Sequence, residues 1–172
     1  MKSTPNGIRA AILTVSDGVH HGTRVDTSGP ALAERLRAAG YTVSHPEVLP
    51  DERDRIAAWL RAVTHNRQAD VVFTTGGTGV APRDVTPEAV RDVIDREIPG
   101  FGELMRQHGR TSTPMASLSR GLAGVAGGVL IVTLPGSPRG ALDSIGAILE
   151  LVPHVHDLVN GRTSHDAVRG GE

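Results

Sequence analysis

Short apolar runs alternate along this chain with segments whose apolar residues recur every three or four positions. Residues 8–16 and 70–75 are short, apolar and rich in β-branched side chains, as expected of strands that are buried in a parallel sheet. A segment between them carries its apolar residues on one helical face, at Ile56, Trp59, Leu60 and Val63. This alternation predicts an α/β fold: a single domain of three layers, α/β/α, around a mostly parallel sheet.

Further segments extend the same pattern along the chain. In chain order we expect a helix over residues 28–39, a strand over 41–48, a helix that the Thr86 hydroxyl caps, a helix over 100–109, at least one strand within 121–134, and one long helix over 142–159 that Gly161 ends. No linker or internal repeat interrupts the pattern, so we predict one domain over residues 1–172, with a core at about 8–160 and frayed termini, including residues 163–172.

Composition excludes several classes of protein. The formal net charge is −1 and only four residues are aromatic, so the chain lacks the basic surplus and the stacking platforms of a nucleic-acid-binding protein. No run approaches the roughly 18 apolar residues of a membrane span, and the first twenty residues lack a signal pattern. We therefore expect a cytoplasmic protein without nucleic-acid or membrane partners. The absence of cysteine excludes disulfides and zinc–thiolate sites.

A glycine-rich segment directly follows the strand over 70–75. Residues 74–79 read TTGGTG, and glycines in such a loop permit positive φ and let successive N–H groups face one anion. The segment matches neither the G-x-G-x-x-G pattern nor the P-loop, since the chain has no Gly-Lys-Ser/Thr. It predicts a phosphate cradle without a lysine. The alternative is that the glycines only turn the chain between strand and helix.

Two aspartates follow different predicted strands, Asp51 in LPDERD and Asp84 in PRDVTPE. A carboxylate beside a phosphate cradle repels phosphate unless a cation lies between them, and Mg²⁺ prefers such oxygen ligands. Because ligands of α/β sheets bind beyond the carboxyl ends of the strands, we expect both aspartates to meet there and to hold Mg²⁺ with a nucleotide. The alternatives are that each caps the helix after it, or that Asp84 pairs with Arg83.

Two more loops are predicted at the same edge of the sheet. Asp17 follows the first strand, and Gly136 and Ser137 lie in LPGSP before the last helix. Gly136 permits close backbone approach and Ser137 offers a hydroxyl, although Ser137 is also a suitable helix cap with Pro138 after it. Three arginines adjoin these loops and either clamp phosphates or remain solvated: Arg83, Arg120 and Arg139.

Five separated motifs together resemble the MogA/MoaB family of molybdenum cofactor biosynthesis, which includes the G domain of gephyrin. They are SDG, LPDERD, TTGGTGVAPRDVTPEA, LSRGLAGV and LPGSP, in the family's order. The resemblance implies a compact, usually trimeric α/β fold that binds molybdopterin. In catalytic members it implies adenylylation of molybdopterin with Mg-ATP and release of pyrophosphate, after which a partner protein inserts molybdate.

The resemblance also implies roles for individual residues. Asp51 and Asp84 correspond to the two family aspartates needed for adenylyl transfer, and we expect them to be catalytic and to hold Mg²⁺. The substrate-binding positions that it implies are Ser16, Asp17, Thr75, Gly76, Gly77, Thr78, Gly79, Ser119, Gly136 and Ser137. Many members carry an arginine after the Ser-Asp pair, whereas this chain has Gly18, and its next arginine is Arg24.

Three functions are compatible with these residues. The first is a molybdopterin adenylyltransferase that uses ATP and Mg²⁺ and forms a homotrimer. The second is a noncatalytic molybdopterin carrier or assembly protein on the same fold. The third is a nucleotide-binding α/β protein with no role in pterin chemistry. Product formation distinguishes the first from the second, and affinity for molybdopterin distinguishes both from the third.

Overall fold

Within the part of the chain that the structure describes, a seven-stranded sheet runs through the centre of the molecule. The computed structural model describes Pro5 and residues 7–162. Its strands are β1 (Arg9–Val15), β2 (Thr42–Val43), β3 (Glu47–Leu49), β4 (Val71–Thr75), β5 (Arg96–Glu97), β6 (Ala123–Ala126) and β7 (Val129–Leu134). The strand order is β2-β1-β4-β7-β6-β5, and β3 also pairs with β1. All pairs among β1, β2, β3, β4 and β7 are parallel, whereas β6 runs antiparallel to β7 and to β5. The predicted mostly parallel sheet is confirmed.

Helices cover both faces of this sheet. They are α1 (Asp17–His20), α2 (Ser28–Ala38), α3 (Arg53–His65), α4 (Thr86–Arg91), α5 (Pro99–Gly109), α6 (Pro138–Ile148) and α7 (Val152–Val159), with a 3-10 turn at Pro114–Leu118. Alternate residues of β4 point to opposite faces, so Phe73 packs in the core beneath α2, α5 and α6, and Val72 packs beneath α3 and α4. Because every β4 residue is buried, the three-layer prediction is confirmed.

The second predicted strand, over residues 41–48, is wrong as a continuous element. β2 pairs with the start of β1, where Thr42 lies opposite Arg9, and β3 pairs with its end, where Glu47 lies opposite Leu13. Pro46 lies between the two pieces and has no N–H to donate to a neighbouring strand. The segment therefore interrupts its hydrogen bonds to β1 near Pro46 and pairs with β1 again from Glu47.

The single long helix predicted over 142–159 is also wrong, because it is divided into α6 and α7 between Ile148 and Val152. Pro153 lies in the first turn of α7 and lacks the N–H that would continue the hydrogen bonds of α6. Gly161 follows α7 with φ +73°, as predicted for a helix stop. The predicted fraying of residues 163–172 lies outside the described residues.

Two smaller differences lie near the functional loops. The segment 121–134 forms two strands, β6 and β7, joined by Gly127 and Gly128 at positive φ. α4 ends at Arg91, and Val93 and Ile94, which follow it, still pack against the core beneath α3 and α4. Along the described chain, no helix combines the length and apolarity needed to cross a bilayer.

Candidate functional site

The glycine loop after β4 is the point at which three strands come together. Gly76 has φ +102°, and a Cβ on it would lie 2.1 Å from the carbonyl oxygen of Val15 at the end of β1. Its N–H donates to the carbonyl of Leu134 at the end of β7 (3.1 Å). A Cβ on Gly136, in the loop after β7, would lie 3.1 Å from the Cα of Gly76. The absence of a side chain at Gly136 thus lets its backbone lie close to that of Gly76, while the role of Gly136 in substrate binding stays a prediction.

Thr86 fastens this loop to the start of α4. Its buried hydroxyl donates to the carbonyl oxygen of Gly76 (2.9 Å), and its N–H donates to that of Gly77 (3.1 Å). The hydroxyl makes no capping bond, because the cap position of α4 is Val85. The predicted capping role of Thr86 is therefore wrong: the side chain holds the glycine loop instead.

Asp51 reaches the glycine loop from the turn between β3 and α3. Its Oδ2 accepts from the N–H of Asp17 (2.8 Å), and its own N–H donates to Oδ1 of Asp17 (3.0 Å). A Cβ on Gly77 would lie 3.1 Å from Asp51 Oδ1, so the carboxylate lies directly against the loop. The cap position of α3 is Glu52, and the helix-capping alternative for Asp51 is wrong.

Asp84 reaches the other end of the same loop. Its Oδ2 accepts from the N–H of Ala81 (2.8 Å) and would lie 2.7 Å from a Cβ on Gly79. Asp84 does not cap α4 and does not pair with Arg83, so both alternatives for it are wrong. The structure brings Asp51 and Asp84 to one glycine loop, as expected of residues that follow the carboxyl ends of strands in one parallel sheet. Their catalytic and metal-binding roles remain predictions.

Arg83 instead forms a two-bond ion pair with Asp17, from Nε and Nη2 at 2.9 and 2.8 Å. These hydrogen bonds lower the pKa of Asp17 against the opposing effect of its desolvation. Burial raises the pKa of Asp51 against the opposing effect of the hydrogen bond from the N–H of Asp17, and the negative charges of Asp17 and Asp84 also raise this pKa. Arg83 therefore holds Asp17 in place, and Asp17 in turn holds Asp51 through two hydrogen bonds.

We expect the pKa of Asp17 to lie below that of an ordinary aspartate and the pKa of Asp51 to lie above it. Carboxyl-carbon NMR should give Asp17 the lower midpoint, because Arg83 lowers its pKa while burial raises the pKa of Asp51. The variant Arg83→Gln removes the guanidinium and should move the Asp17 midpoint upward. Equal midpoints in the unaltered protein, or no response to Arg83→Gln, would contradict this account.

Two adjacent clefts open at this edge of the sheet and share Gly136 and Ser137. The first, which we call the aspartate cleft, has a volume of about 440 Å³. Six further predicted site residues line it: Ser16, Asp51, Thr75, Gly76, Gly77 and Asp84. The second, which we call the methionine cleft, has a volume of about 310 Å³ and is lined by Met105, Met115 and Leu118. The predicted residues Thr78, Gly79 and Ser119 line this second cleft, whereas Asp17 lines neither.

Several predicted hydroxyls already have structural partners. Thr75 donates to the carbonyl of Pro135 (2.7 Å), and Ser137 caps α6 by accepting from the N–H of Gly140 (3.1 Å). Ser16 caps α1 by accepting from Val19 (3.3 Å), and Ser119 accepts from Gly121 (3.2 Å). The capping alternative for Ser137 is confirmed, and these hydroxyls shape the clefts while also lining them.

Arg120 has a role that the sequence did not reveal. Its Nε donates to the carbonyl of Gly79 (2.7 Å) and its Nη2 to that of Asp84 (2.5 Å), while Nη1 pairs with Glu88 on α4. It is thus neither a free phosphate clamp nor a solvated charge, since it ties both ends of the glycine loop to the helix. Its place in the LSRG motif was the only signal. Arg139, by contrast, is exposed and 3.9 Å from Asp143.

Asp26 is a further carboxylate at this site that the sequence analysis did not identify. Its Oδ2 accepts from the hydroxyl of Thr14 (2.8 Å) and its Oδ1 from the N–H of Gly29 at the start of α2 (3.0 Å). The carboxylate also lines the aspartate cleft. Aspartate is favoured at the start of a helix, and this preference indicates the contact of Asp26 with α2 although not its position in the cleft.

The fold and the position of both clefts place the chain among the open-sheet α/β proteins, whose ligands bind beyond the carboxyl ends of the strands. Residues 11–154 match a family model described as a probable molybdopterin binding domain. The chain belongs to this family, which acts in molybdenum cofactor biosynthesis. The family and the fold class predicted from the motifs are confirmed.

Individual relatives agree with this assignment. The chain is 40% identical over 158 residues to a molybdopterin adenylyltransferase of Helicobacter pylori, covering 90% of this chain and 89% of the relative. It is 41% identical over 138 residues to molybdenum cofactor biosynthesis protein B of Halalkalibacterium halodurans, covering 79% and 80%. The solved structure of the molybdopterin biosynthesis enzyme MoaB from Thermus thermophilus matches with a TM-score of 0.84, 49% identity and coverage of 90% and 97%. Of two longer relatives, the chain spans only 28% and 22%.

Proposed function

We propose that this protein is a molybdopterin adenylyltransferase, which joins the AMP of ATP to the terminal phosphate of molybdopterin and releases pyrophosphate. The observation that carries the proposal is the meeting of Asp51 and Asp84, from separate loops, at the two ends of one glycine loop. The relative that is 40% identical over nine-tenths of the chain bears this activity in its name.

The chemistry needs positioning rather than proton abstraction. A terminal phosphate has a second pKa of about 6, so it is largely dianionic at neutral pH and already nucleophilic. The barrier is the approach of two anions and the charge that develops on departing pyrophosphate. A site built from glycine N–H groups and carboxylates, with no histidine or lysine among the described residues that line either cleft, suits that demand.

The glycine loop supplies hydrogen-bond donors for a phosphate. Among the described residues, the N–H groups of Gly77, Thr78 and Gly79 have no acceptor within the protein. Gly76 and Gly77 both have positive φ, a backbone conformation found in anion-binding nests. The loop is held in place by Thr86 and Arg120, so its donors need no reordering when substrate binds.

The carboxylates fit a magnesium ion that arrives with the nucleotide. Mg²⁺ usually keeps several waters and takes only one or two protein carboxylates together with substrate phosphates. Asp51 and Asp84 offer such a pair, and within the described residues no group of three or more histidines or acids is placed to hold a metal by itself. When bound, Mg²⁺ neutralises phosphate charge. Asp51 and Asp84 are the residues that would hold it.

The two clefts suit different parts of the substrates. The aspartate cleft, with its polar lining, takes the magnesium triphosphate. The methionine cleft, lined by Met105, Met115 and Leu118, takes a planar ring, because thioethers pack favourably on aromatic systems. Both clefts include Gly136 and Ser137, so phosphates bound from the two sides would meet there.

The decisive assay combines purified protein, molybdopterin, Mg²⁺ and ATP. We expect pyrophosphate and adenylylated molybdopterin in equal amounts, and neither product when molybdopterin or Mg²⁺ is omitted. Molybdopterin binding without adenylylated product would establish the carrier function instead. ATP binding without affinity for molybdopterin would establish a nucleotide-binding protein outside pterin chemistry.

Three further features belong to the same proposal. We expect a homotrimer, a cytoplasmic location, and transfer of the adenylylated product to a partner protein that inserts molybdate. We also expect residues 1–172 to act as one domain, in keeping with the single sheet and the family match over residues 11–154. Sedimentation equilibrium measures the trimer directly.

A further inference from the structure

The aspartate cleft has more negative than positive side chains in its lining, although we propose that it binds an anionic nucleotide. Three carboxylates line it, those of Asp26, Asp51 and Asp84, and of the described residues only Arg24 brings a positive charge. A triphosphate needs more neutralisation than one Mg²⁺ held by two aspartates supplies. Arg24 is the protein group placed to provide it.

The Arg24 guanidinium is not committed to another role. Arg83 is paired with Asp17, and Arg120 with Glu88, so neither of these two arginines beside the glycine loop is free to bind a phosphate. Among the described residues, the side chain of Arg24 has no hydrogen-bond or ion-pair partner. An unpaired guanidinium on a cleft wall presents a fork of donors that matches the oxygens of a phosphate group.

The position of Arg24 depends on Gly18. A Cβ on Gly18 would lie 2.8 Å from Cδ of Arg24 and 3.2 Å from its Cγ, so the arginine stem crosses the space that a side chain at position 18 would fill. The N–H groups of Thr23 and Arg24 both donate to the carbonyl of Gly18 (2.9 and 3.0 Å). The turn that follows α1 therefore holds the arginine over the glycine.

We propose that Arg24 binds a phosphate group of the nucleotide in the aspartate cleft, and that Gly18 makes this possible by leaving room for the arginine stem. The inference rests on the proposed function, because that function supplies the nucleotide. It assigns Arg24 as a substrate-binding residue. Gly18 is a positioning residue that acts only through Arg24.

The first test is calorimetric titration with Mg-ATP, without molybdopterin, so that turnover is not required. Arg24→Gln should raise the Kd about tenfold, since hydrogen bonds to charged groups are individually strong but this one is exposed to solvent. In the full assay the same variant should raise the KM for ATP and leave kcat within about twofold. Arg24→Lys should bind with intermediate affinity. Arg110→Gln, an exposed arginine that lines neither cleft, is the matched control and should bind as the unaltered protein does.

The second test uses Gly18→Ala, whose methyl group should displace the arginine stem without backbone strain. Alone it should weaken Mg-ATP binding, but it should add nothing in the Arg24→Gln background, because the two changes remove the same contact. Unchanged Mg-ATP binding by Arg24→Gln, or additive losses of affinity in the double variant, would overturn the inference. The proposed function would still stand in that case, provided that the unaltered protein releases pyrophosphate. Failure of the unaltered protein to bind Mg-ATP would overturn both.

Discussion

Asp84→Asn is expected to lower adenylyl transfer about a thousandfold, the scale seen when a group that stabilises transition-state charge is removed. The amide oxygen of asparagine can still accept the hydrogen bond from the N–H of Ala81, so the loop keeps its shape. What the variant loses is the negative charge beside Gly79, which we propose to hold Mg²⁺. Pyrophosphate release in the presence of molybdopterin, ATP and Mg²⁺ measures the effect.

A matched change separates this loss from a general effect of neutralising an acid. Asp54→Asn alters an exposed aspartate in the first turn of α3 that lines neither cleft, and it should retain full turnover. Thermal unfolding of both variants should resemble that of the unaltered protein, since a loop carboxylate adds little packing. Full turnover by Asp84→Asn would show that this carboxylate takes no part in the reaction.

Gly76→Ala is expected to lower the free energy of unfolding by about 3–5 kcal/mol. The loss has two causes: alanine tolerates a left-handed backbone poorly, and its methyl group would overlap with a neighbouring strand. The φ of Gly76 is +102°, and the new methyl group would lie 2.1 Å from the carbonyl oxygen of Val15. That oxygen is backbone and cannot rotate away, so β1 and β4 must separate where they pair. The urea-unfolding midpoint measures the loss.

Gly100→Ala is the control for this prediction. Gly100 lies in the first turn of α5, and a Cβ on it would meet no atom within 4 Å. Its stability should be unchanged or slightly higher, by less than about 1 kcal/mol, because alanine favours the helix. Similar unfolding midpoints for Gly76→Ala and Gly100→Ala would mean that the convergence of three strands on Gly76 is not needed for stability.

The periodic elements were predictable because their signals are local. The apolar run before the glycine loop is a fully buried central strand, and the three-and-four spacing through Ile56 and Leu60 is the buried face of α3. The errors also have local causes. Pro46 divides the second predicted strand, and Pro153 divides the last helix, because each lacks an N–H at a point where the apolar pattern alone continues.

The candidate site was only partly predictable. Both aspartates and the glycine loop stood out, because residue types that suit phosphate and Mg²⁺ follow strands that end at one edge of the sheet. The hydrogen bonds that hold them did not stand out. The sequence favours a helix cap for Thr86 and a phosphate clamp or a solvated charge for Arg120, but each holds the glycine loop through a backbone carbonyl.

The sequence by itself determined the family, the alternation of strands and helices, and the identity of the acids and glycines beyond the strands, since these depend on spacing between near neighbours. Only the tertiary structure decided which charges pair and which stay free. Asp17 meets Asp51 across 34 positions of the chain and Arg83 across 66. Those partnerships are set by how the strands pair and not by local pattern, and among the described residues they leave Arg24 as the unpaired cation that lines the aspartate cleft.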